Sequence, residues 1–316
     1  MQEVHIGNVP PPFGGGISVY LYRLSKINSK AEFIHYNKIN NFWFIKQLFC
    51  KTRKNFISHN SNLKFKIKLY FLSLISHHRY SCVIHGRILI EKYYNGNHLT
   101  RFLIKQLFKR SYFIQVVNKK YEILFKHILN LKNVNIFVKN AFLPPPTNEE
   151  KLIIKTYSQK VKDFLYKKSP VLVGNASSLS FYKGDDLYGL DLLIKLIKLL
   201  KKNYPNIGLV FGISSLSVNK HYFNKIKGLI KELNIKDNII FITGNKRIWP
   251  IFKRADLMIR PTNYDGDSVS IREALFFNIP VIASDVIKRP EKCFLFKNRD
   301  IKDLYNKTLK ILNERF

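Results

Sequence analysis

The second half of the chain alternates short apolar segments with longer amphipathic segments, and this order constrains the fold more than any other feature. Residues 171–173, 207–211 and 257–259 are apolar runs of strand length. Residues 187–200 and 220–233 carry apolar side chains at helical spacing. Strands separated by such helices predict an α/β fold with a parallel, doubly wound sheet and right-handed crossovers. The other elements predicted here are strands at 238–242, 280–283 and 293–296 and helices at 249–254, 268–277 and 301–312.

Three consecutive prolines at 144–146 separate two parts of different composition. Residues 1–148 hold only four of the 21 acidic residues and no aspartate, whereas Lys and Arg occur throughout. We therefore predict two domains, residues 1–146 and 147–316, with a helix at about 151–168 leading into the second. The first domain opens in the same way as the second, and residues 41–126 look helical, basic and aromatic. The first elements of the first domain are predicted as a strand at 4–8, a loop at 10–16 and a helix at 16–27.

The net charge of +33 predicts attraction to polyanions, namely nucleic acid, anionic lipid or a diphosphate ligand. A lysine-rich composition spread over solvated faces is the alternative explanation. The three cysteines, Cys50, Cys82 and Cys293, form no CxxC pair and predict buried thiols in a reducing compartment. No apolar run approaches the roughly 18–20 residues that cross a bilayer, and no signal peptide is visible. Together these features favour a cytoplasmic protein.

The most specific motif runs from Arg260 to Leu275, where a predicted strand ends, a turn follows and a helix begins. Its two carboxylates, Asp265 and Glu273, are eight positions apart, a little over two helical turns. One carboxylate at the turn and one within the helix can bind two hydroxyl-bearing groups of an extended ligand. The free N–H groups of residues 266–269 would face a phosphate. Alternatively, Asp265 is a helix N-cap and Glu273 a surface residue.

This segment resembles the E-x7-E region of retaining glycosyltransferases of family 4, which have the two-domain GT-B fold. The resemblance implies two Rossmann-like, doubly wound parallel-sheet domains facing across a cleft. Further matching segments are residues 187–194, 207–212, 241–244, 255–257 and 280–284 in the second half and residues 14–18, 85–86 and 138–142 in the first.

The resemblance also implies roles for individual residues, with Asp265, Glu273 and His85 as the catalytic set. Glu273 would hold the nucleotide ribose, Asp265 would contact hydroxyls of the donor sugar, and His85 would face the transferred sugar. Glycines in the first domain would let the backbone approach the phosphate, because a Cβ would block it. The implied donor-binding residues are Gly15, Gly16, Gly174, Asn175, Lys183, Gly244, Arg260, Gly266, Asp267, Ser268 and Val269.

Three positions depart from the family pattern. The first acid is Asp265 rather than Glu, which shortens its reach by one methylene. Asn175 stands where the family often has Arg, and Tyr188 stands where it has Lys. Those two cations normally neutralise the diphosphate, so other cations are needed here. The candidates are Lys183, Arg247, Arg260 and Arg289.

The first domain offers few groups that could act as the general base of an inverting enzyme, only Glu91 and some histidines. A retaining enzyme of this type needs no such base and depends instead on positive charge preorganised at the diphosphate. We therefore predict retention without a metal or other cofactor. By analogy with the family, a nucleotide sugar, most commonly a UDP-sugar, donates to a glycan or lipid-linked acceptor in polysaccharide or lipopolysaccharide biosynthesis.

Two alternatives compete with this prediction. Asp265-Gly266-Asp267 also forms DxD, the metal–diphosphate motif of the single-domain GT-A glycosyltransferases. Residues 51–54 and 108–113 mix charges with aromatics, as single-strand nucleic-acid binders do. No recognised nucleic-acid module is present, so we favour an anionic membrane surface and no nucleic acid. Residues 42–49 and 63–75 fit helices that lie on anionic lipid, although core-facing amphipathic helices have the same pattern.

Overall fold

The structure, a computed structural model, describes residues 1–11, 15–86, 88–131 and 134–316. It divides into two compact units, Met1–Leu143 and Pro144–Phe316. The division falls at the start of the three consecutive prolines, close to the boundary placed after residue 146. Each unit has its own hydrophobic core.

The first unit contains a six-stranded parallel sheet in the order β2-β1-β3-β4-β5-β6. Its strands are β1 (Gln2–Gly7), β2 (Glu32–His35), β3 (Lys54–Ser58), β4 (Arg79–Ile84), β5 (Ile114–Val116) and β6 (Ile136–Val138). Its helices are α1 (Gly15–Ile27), α2 (Asn41–Leu48), α3 (Leu63–Ile75), α4 (Ile88–Tyr94), α5 (His98–Arg110) and α6 (Lys119–Ile128), with a 3-10 turn at Tyr36–Lys38.

The second unit contains a six-stranded parallel sheet in the order β11-β10-β7-β12-β13-β14 and a separate hairpin, β8–β9. Its strands are β7 (Val171–Ser178), β8 (Phe181–Tyr182), β9 (Asp185–Asp186), β10 (Gly208–Ser215), β11 (Ile239–Thr243), β12 (Leu257–Arg260), β13 (Val281–Ser284) and β14 (Cys293–Phe296). Its helices are α7 (Glu150–Lys155), α8 (Gln159–Lys167), α9 (Leu190–Leu200), α10 (Lys220–Glu232), α11 (Trp249–Phe252), α12 (Val269–Phe276) and α13 (Ile301–Asn313), with 3-10 turns at Thr147–Glu149 and Lys236–Asn238.

Successive side chains of β7 belong to different apolar cores. Leu172 lies in one core, whereas Val171 and Val173 lie in the other. Because side chains along a strand point alternately to opposite faces, both faces of the sheet are covered by apolar groups. The predicted α/β class with a doubly wound parallel sheet is confirmed in both units.

Helix α9 begins at Leu190, later than the predicted start at residue 187. Gly189 is the N-cap of this helix and has a φ of +66°, a left-handed conformation that glycine adopts without a steric penalty. The carboxylate of Asp186 accepts hydrogen bonds from the N–H groups of Tyr188 at 2.9 Å and Leu190 at 3.1 Å. This carboxylate satisfies an N–H group that the helix leaves unpaired. The preceding residues form the hairpin β8–β9, which the sequence did not predict.

Three sequence predictions need correction. Residues 41–126 are not all helical, because β3, β4 and β5 lie within them. The single helix predicted at 151–168 is two helices, α7 and α8, separated at Tyr157, whose ring is buried and whose hydroxyl donates to the Arg247 carbonyl at 2.7 Å. All three cysteines are free, but only Cys82 is fully buried, and the other two are partly exposed.

In the second unit, the direction in which strands are added to the sheet reverses between β7 and β12. The chain leaves β7, builds β10 and β11 on one side, and then returns to build β12 on the other side. The pairing of β12 with β7 involves Leu172 and Val173, whereas β10 stays paired with β7 as far as Ser178. The carboxyl ends of β7 and β12 therefore separate, and such a switch point is where open α/β sheets bind ligands.

We expect Gly189→Ala to lower the free energy of unfolding by roughly 2–4 kcal/mol, since a left-handed L-residue costs about 1–2 kcal/mol and overpacking adds a similar amount. A Cβ at this position would lie 2.3 Å from the carbonyl oxygen of Pro261, the residue after β12. The matched control is Gly228→Ala in α10, where a Cβ would meet nothing within 4 Å. The control should be stabilised by roughly 0.5–1 kcal/mol. Urea unfolding curves would contradict this if the two variants shifted alike.

Candidate functional site

Asp265 is the centre of a buried charge cluster at the carboxyl end of β12. Arg260 donates to its carboxylate from Nε at 3.1 Å and from Nη2 at 3.2 Å. Arg289 donates from Nη1 at 2.7 Å, and the hydroxyl of Thr262 donates at 3.2 Å. The side chain of Asp265 is only 9% exposed. Two guanidinium groups therefore share one carboxylate.

Burial by itself raises the pKa of Asp265, because it disfavours the charged form. The charges and hydrogen bonds of Arg260, and after it Arg289, outweigh this effect and lower the pKa to about 2. Asp265 is therefore ionised throughout the physiological range. Its oxygens serve the two arginines, an arrangement that the sequence did not predict.

Arg260 connects the cluster to the switch point. Its Nη1 donates to the backbone carbonyl of Asn175 at 3.0 Å and lies 3.4 Å from the side-chain oxygen of the same residue. Its guanidinium carbon lies 5.1 Å from the ring centroid of Tyr188. Asn175 and Tyr188 are the two positions at which the family pattern has Arg and Lys. The charge of Arg260 thus lies beside both positions that lack a cation.

Arg289 differs from Arg260 because its donors are used within the protein. Its Nε donates to the Ser284 carbonyl at 3.1 Å, and its Nη2 donates to the hydroxyls of Thr262 at 3.1 Å and Ser284 at 3.2 Å. Its side chain is only 2% exposed. Arg289 therefore holds the ends of β12 and β13 together and orients Asp265. No local spacing relates Arg289 to Asp265 in the sequence, so this role could not be predicted.

The second carboxylate of the DxD sequence, Asp267, is also paired with an arginine. Arg272 donates from Nε to Asp267 at 2.7 Å. In the described ranges, no group of three or more His, Cys, Asp or Glu side chains is placed to hold a metal ion. Both carboxylates of the DxD sequence have arginine partners instead.

Helix α12 begins after this turn, with Ser268 as its N-cap. The Ser268 hydroxyl accepts from the Ile271 N–H, and Val269 is the first helical residue. Residues 265–268 are not helical, so the eight positions from Asp265 to Glu273 do not form two turns of one helix, and Asp265 is not the helix N-cap of the alternative prediction. A Cβ at Gly266 would meet no atom within 4 Å, so the space beside this backbone is open.

Glu273 lies within α12 and is buried. Its negative charge helps to raise the pKa of Tyr157, an effect in which burial of the phenol is the largest cause. Glu273 is therefore close to the buried Tyr157 between α7 and α8, and it is not the surface residue of the alternative prediction.

The remaining predicted residues of the second unit have different surroundings. A Cβ at Gly174 would lie 2.8 Å from Leu193 and 2.9 Å from Phe211, so packing explains the absence of a side chain there. Gly244 follows β11 with a φ of +87° and open space around it. Lys183 lies at the turn of the β8–β9 hairpin with a φ of +52°. Arg247, another candidate cation, is paired with Glu149.

In the first unit, His85 directly follows β4, and its Nε2 lies 3.2 Å from Nδ1 of His59. Burial, and to a lesser extent the charge of Lys66, lowers the pKa of His85 to about 4. Gly15 and Gly16 are exposed at the start of α1, where Gly15 has a φ of +74°. Gly14 of the predicted glycine loop lies outside the described residues.

Residues 165–315 match the protein family described as glycosyl transferases group 1. An uncharacterized glycosyltransferase of Methanocaldococcus jannaschii is 28% identical over 180 residues, which are 55% of this chain and 39% of that protein. An uncharacterized glycosyltransferase of Haemophilus influenzae is 24% identical over 124 residues, which are 37% of this chain and 33% of that protein. In these matches the chain thus spans less than half of the length of either curated relative.

Among solved structures, HepE of Anabaena in complex with UDP aligns with a TM-score of 0.71 and 13% identity, covering 100% of this chain and 91% of HepE. HepE has also been solved with UDP-glucose. The agreement in architecture extends over both units. The chain has the GT-B fold.

Within this GT-B chain, the group 1 match covers the whole sheet of the second unit and the Asp265 cluster. The expected GT-B architecture is therefore confirmed, whereas the individual roles of the site residues stay predictions. In the part of the chain that the structure describes, no helix has the length and apolar character needed to span a membrane.

We expect Asp265→Asn to lower the free energy of unfolding by about 3 kcal/mol at pH 7, because it leaves two buried guanidinium groups without a carboxylate. The folded-state pKa of about 2 lies below the ordinary 3.8, so the stabilisation exists above pH 4 and is lost as the pH falls toward 2. The gap between wild type and variant in urea should close over this range. Asp163→Asn, on an exposed position of α8, is the control and should change stability by less than roughly 0.5 kcal/mol. A gap that does not depend on pH would contradict the assignment.

Proposed function

We propose that this chain is a glycosyltransferase that transfers a sugar from a nucleoside-diphosphate donor, with UDP as the favoured nucleotide. The observation that carries the proposal is the buried pair of arginines sharing one carboxylate at the switch point of the second sheet. Buried charges are costly unless they are paired. A site with more cations than carboxylates therefore favours an anionic ligand. The group 1 match and the binding of UDP and UDP-glucose by HepE support a nucleotide sugar as that ligand.

In this proposal Arg260 supplies the charge that Asn175 and Tyr188 do not. Its guanidinium is held from both sides, by Asp265 through two donors and by the Asn175 carbonyl through a third. A guanidinium fixed in this way needs no reorganisation when phosphate charge develops nearby. Arg289 contributes through Asp265 rather than by direct contact, because its own donors are occupied.

The start of α12 provides a second source of positive potential. The N–H groups at a helix N-terminus attract phosphate, and the open space at Gly266 leaves room for a ligand against the backbone. Glu273 is proposed to bind the nucleotide ribose, as the family resemblance implies. The donor sugar would then lie near the turn from Gly266 to Val269.

Retention is proposed because the carboxylates of the first unit already have partners. Glu3 accepts from the side-chain amide of Asn28, and ion pairs join Glu32 to Lys54 and Glu122 to Lys119 and Lys126. Glu91 also has an interaction partner. An inverting transferase needs a protein base at the acceptor, whereas a retaining one can use the departing phosphate oxygen.

Transfer without a metal is proposed because both carboxylates of the DxD sequence already have arginine partners. A divalent cation at the DxD sequence would have to displace Arg260 and Arg289 from Asp265 and Arg272 from Asp267. Guanidinium groups and a helix N-terminus offer the diphosphate the positive charge that a metal supplies in GT-A enzymes.

The test is a thermal-shift screen of nucleoside diphosphates and nucleotide sugars, performed in the presence of EDTA. At about 100 times its Kd, UDP should stabilise the wild type by about 2.7 kcal/mol. Arg260→Gln should weaken this binding roughly 10- to 100-fold, because a hydrogen bond to a charged group contributes about 1.5–3 kcal/mol. Arg299→Gln is the control, since it removes an arginine that pairs with Asp191 at 2.6 Å in the same unit.

Equal UDP binding by both variants would show that Arg260 does not contact the diphosphate. Absence of binding to every nucleotide, together with a salt-sensitive RNA gel shift, would support the nucleic-acid alternative instead. Binding that disappears in EDTA would support the metal-dependent alternative.

The acceptor is proposed to be a glycan or lipid-linked molecule at an anionic membrane surface, as in polysaccharide or lipopolysaccharide synthesis. Two helices of the first unit support a surface location. Phe42 and Phe49, on and just after α2, are 71% and 81% exposed, and Phe71 on α3 is also exposed. The opposite side of α3 packs into the core through Phe65 and Leu69. Helix α3 therefore packs into the core on one face and leaves the aromatic side chain of Phe71 exposed on the other.

We expect the protein to sediment with vesicles that contain phosphatidylserine but not with neutral vesicles, and added salt should release it. Replacing Phe42 and Phe49 together with Ser should weaken vesicle binding by at least tenfold, because each buried aromatic side chain contributes about 1.5–3 kcal/mol. Tyr166→Ser is the matched control, since this ring of the second unit is 91% exposed. Equal sedimentation of all three proteins would argue against a membrane role for α2.

A further inference from the structure

Three histidines form a hydrogen-bonded row across the first sheet. Nδ1 of His5 lies 2.9 Å from Nε2 of His59, and Nδ1 of His59 lies 3.2 Å from Nε2 of His85. They come from adjacent strands: His5 lies in β1, His59 directly follows β3, and His85 directly follows β4. The row therefore crosses the point between β1 and β3 at which this sheet reverses its strand order.

A carboxylate lies at the far end of the row. Nε2 of His5 is buried and forms no hydrogen bond with the described residues, and Oε2 of Glu3 lies 3.6 Å from it. A carboxylate can only accept, so a proton on Nε2 of His5 is favoured over a lone pair facing that charge. Glu3 is itself held in place by Asn28, whose side-chain amide donates to it at 3.2 Å.

This preference passes along the row because a neutral imidazole has one donor and one acceptor nitrogen. If His5 carries its proton on Nε2, its Nδ1 must accept from Nε2 of His59. His59 then accepts at Nδ1 from Nε2 of His85. The nitrogen of His85 that remains, Nδ1, is left without a proton and can only accept.

The surroundings keep the histidines neutral and their rings fixed. Burial is the largest cause that lowers the pKa of His59 and of His85, and the charge of the buried Lys66 lowers both further. The rings of Phe33 and Tyr20 contact the row, with Phe33 stacked on His5 at 4.9 Å and Tyr20 edge-on to His85 at 5.7 Å. At the central histidine of the row, the backbone N–H of His59 donates to the Ile6 carbonyl at 2.8 Å.

Gly7 provides the space that the central histidine needs. A Cβ at Gly7 would lie 3.0 Å from Cβ of His59 and 2.7 Å from a methyl group of Leu21. The end of β1 is therefore shaped to let His59 approach it. This close approach is what allows one ring to contact both His5 and His85.

We propose that His5 and His59 are positioning residues that hold His85 in the tautomer with its proton on Nε2, so that Nδ1 is a permanent acceptor for a sugar hydroxyl. The inference rests on the proposed function together with the family resemblance, which implies that His85 faces the transferred sugar. In this arrangement His85 orients a hydroxyl group and does not remove its proton, because a histidine with a pKa of about 4 is a weak base at neutral pH. This role fits a retaining transferase, in which the leaving phosphate takes the proton.

The test is nitrogen NMR of the protein with ¹⁵N-labelled histidine, in the absence of any substrate. The signals of His85 are assigned by their loss in His85→Gln. We expect the wild type to show His85 with Nε2 protonated and Nδ1 bare across pH 6–8. Glu3→Gln should shift His85 toward roughly equal populations of the two tautomers, because a glutamine amide can donate as well as accept.

Glu32→Gln is the matched control. Glu32 is 42% exposed and Glu3 is 45% exposed, both lie in the first unit, and Glu32 pairs with Lys54 rather than with a histidine. The control should leave the His85 signals unchanged. A wild-type His85 that is protonated on Nδ1, or a tautomer that Glu3→Gln does not alter, would overturn the proposal. Since no nucleotide is used, the proposal can fail while UDP binding is confirmed, and it can hold if UDP binding fails.

Discussion

The reversal of strand order in each parallel sheet is the constraint on which both candidate sites depend. Where β7 and β12 stop pairing after Val173, the backbone carbonyl of Asn175 is left without a partner from β12. The guanidinium of Arg260 takes that partner's place at 3.0 Å. A polar backbone group that would otherwise need water thus fixes a cation at the carboxyl end of the sheet. The position of the site follows from the topology, whereas its charge follows from one side chain.

Asp265 makes contacts within the protein that its place in the motif did not suggest. A carboxylate with five donors around it, from Arg260, Arg289, Thr262 and its own loop, has little capacity left for sugar hydroxyls. The shorter Asp side chain suits this role, since its partner Arg260 lies only five positions earlier, at the end of β12. In the proposed function, the Asp in place of the pattern's Glu and the two positions without a cation are then linked, because Asp265 orients Arg260, the arginine proposed to supply their charge.

The sequence predicted the second unit well because its strands are covered on both faces and stand out as apolar runs between amphipathic helices. Strand Cys293–Phe296 was predicted with its observed bounds. The β8–β9 hairpin and the late start of α9 were missed, since they depend on the tertiary contacts of Asp186 and Gly189. In the first unit, β3 opens with Lys-Asn and ends in Ser, so a five-residue strand could not be distinguished from a basic helix. The Arg289 contact was beyond prediction, because only the fold brings it to Asp265.

The histidine row shows what a sequence could have indicated and what it could not. β3 carries the apolar pair Phe56-Ile57 just before its last residue, β4 ends in the apolar pair Val83-Ile84, and a histidine directly follows each strand. Because the carboxyl ends of adjacent parallel strands meet at one edge, these two strands together indicate that His59 and His85 lie side by side. The third member, His5, lies inside β1, and its participation depends on the missing side chain at Gly7 and on the ring of Phe33. In a unit with only four carboxylates, the position of Glu3 beside His5 then gives the row a direction that composition alone does not reveal.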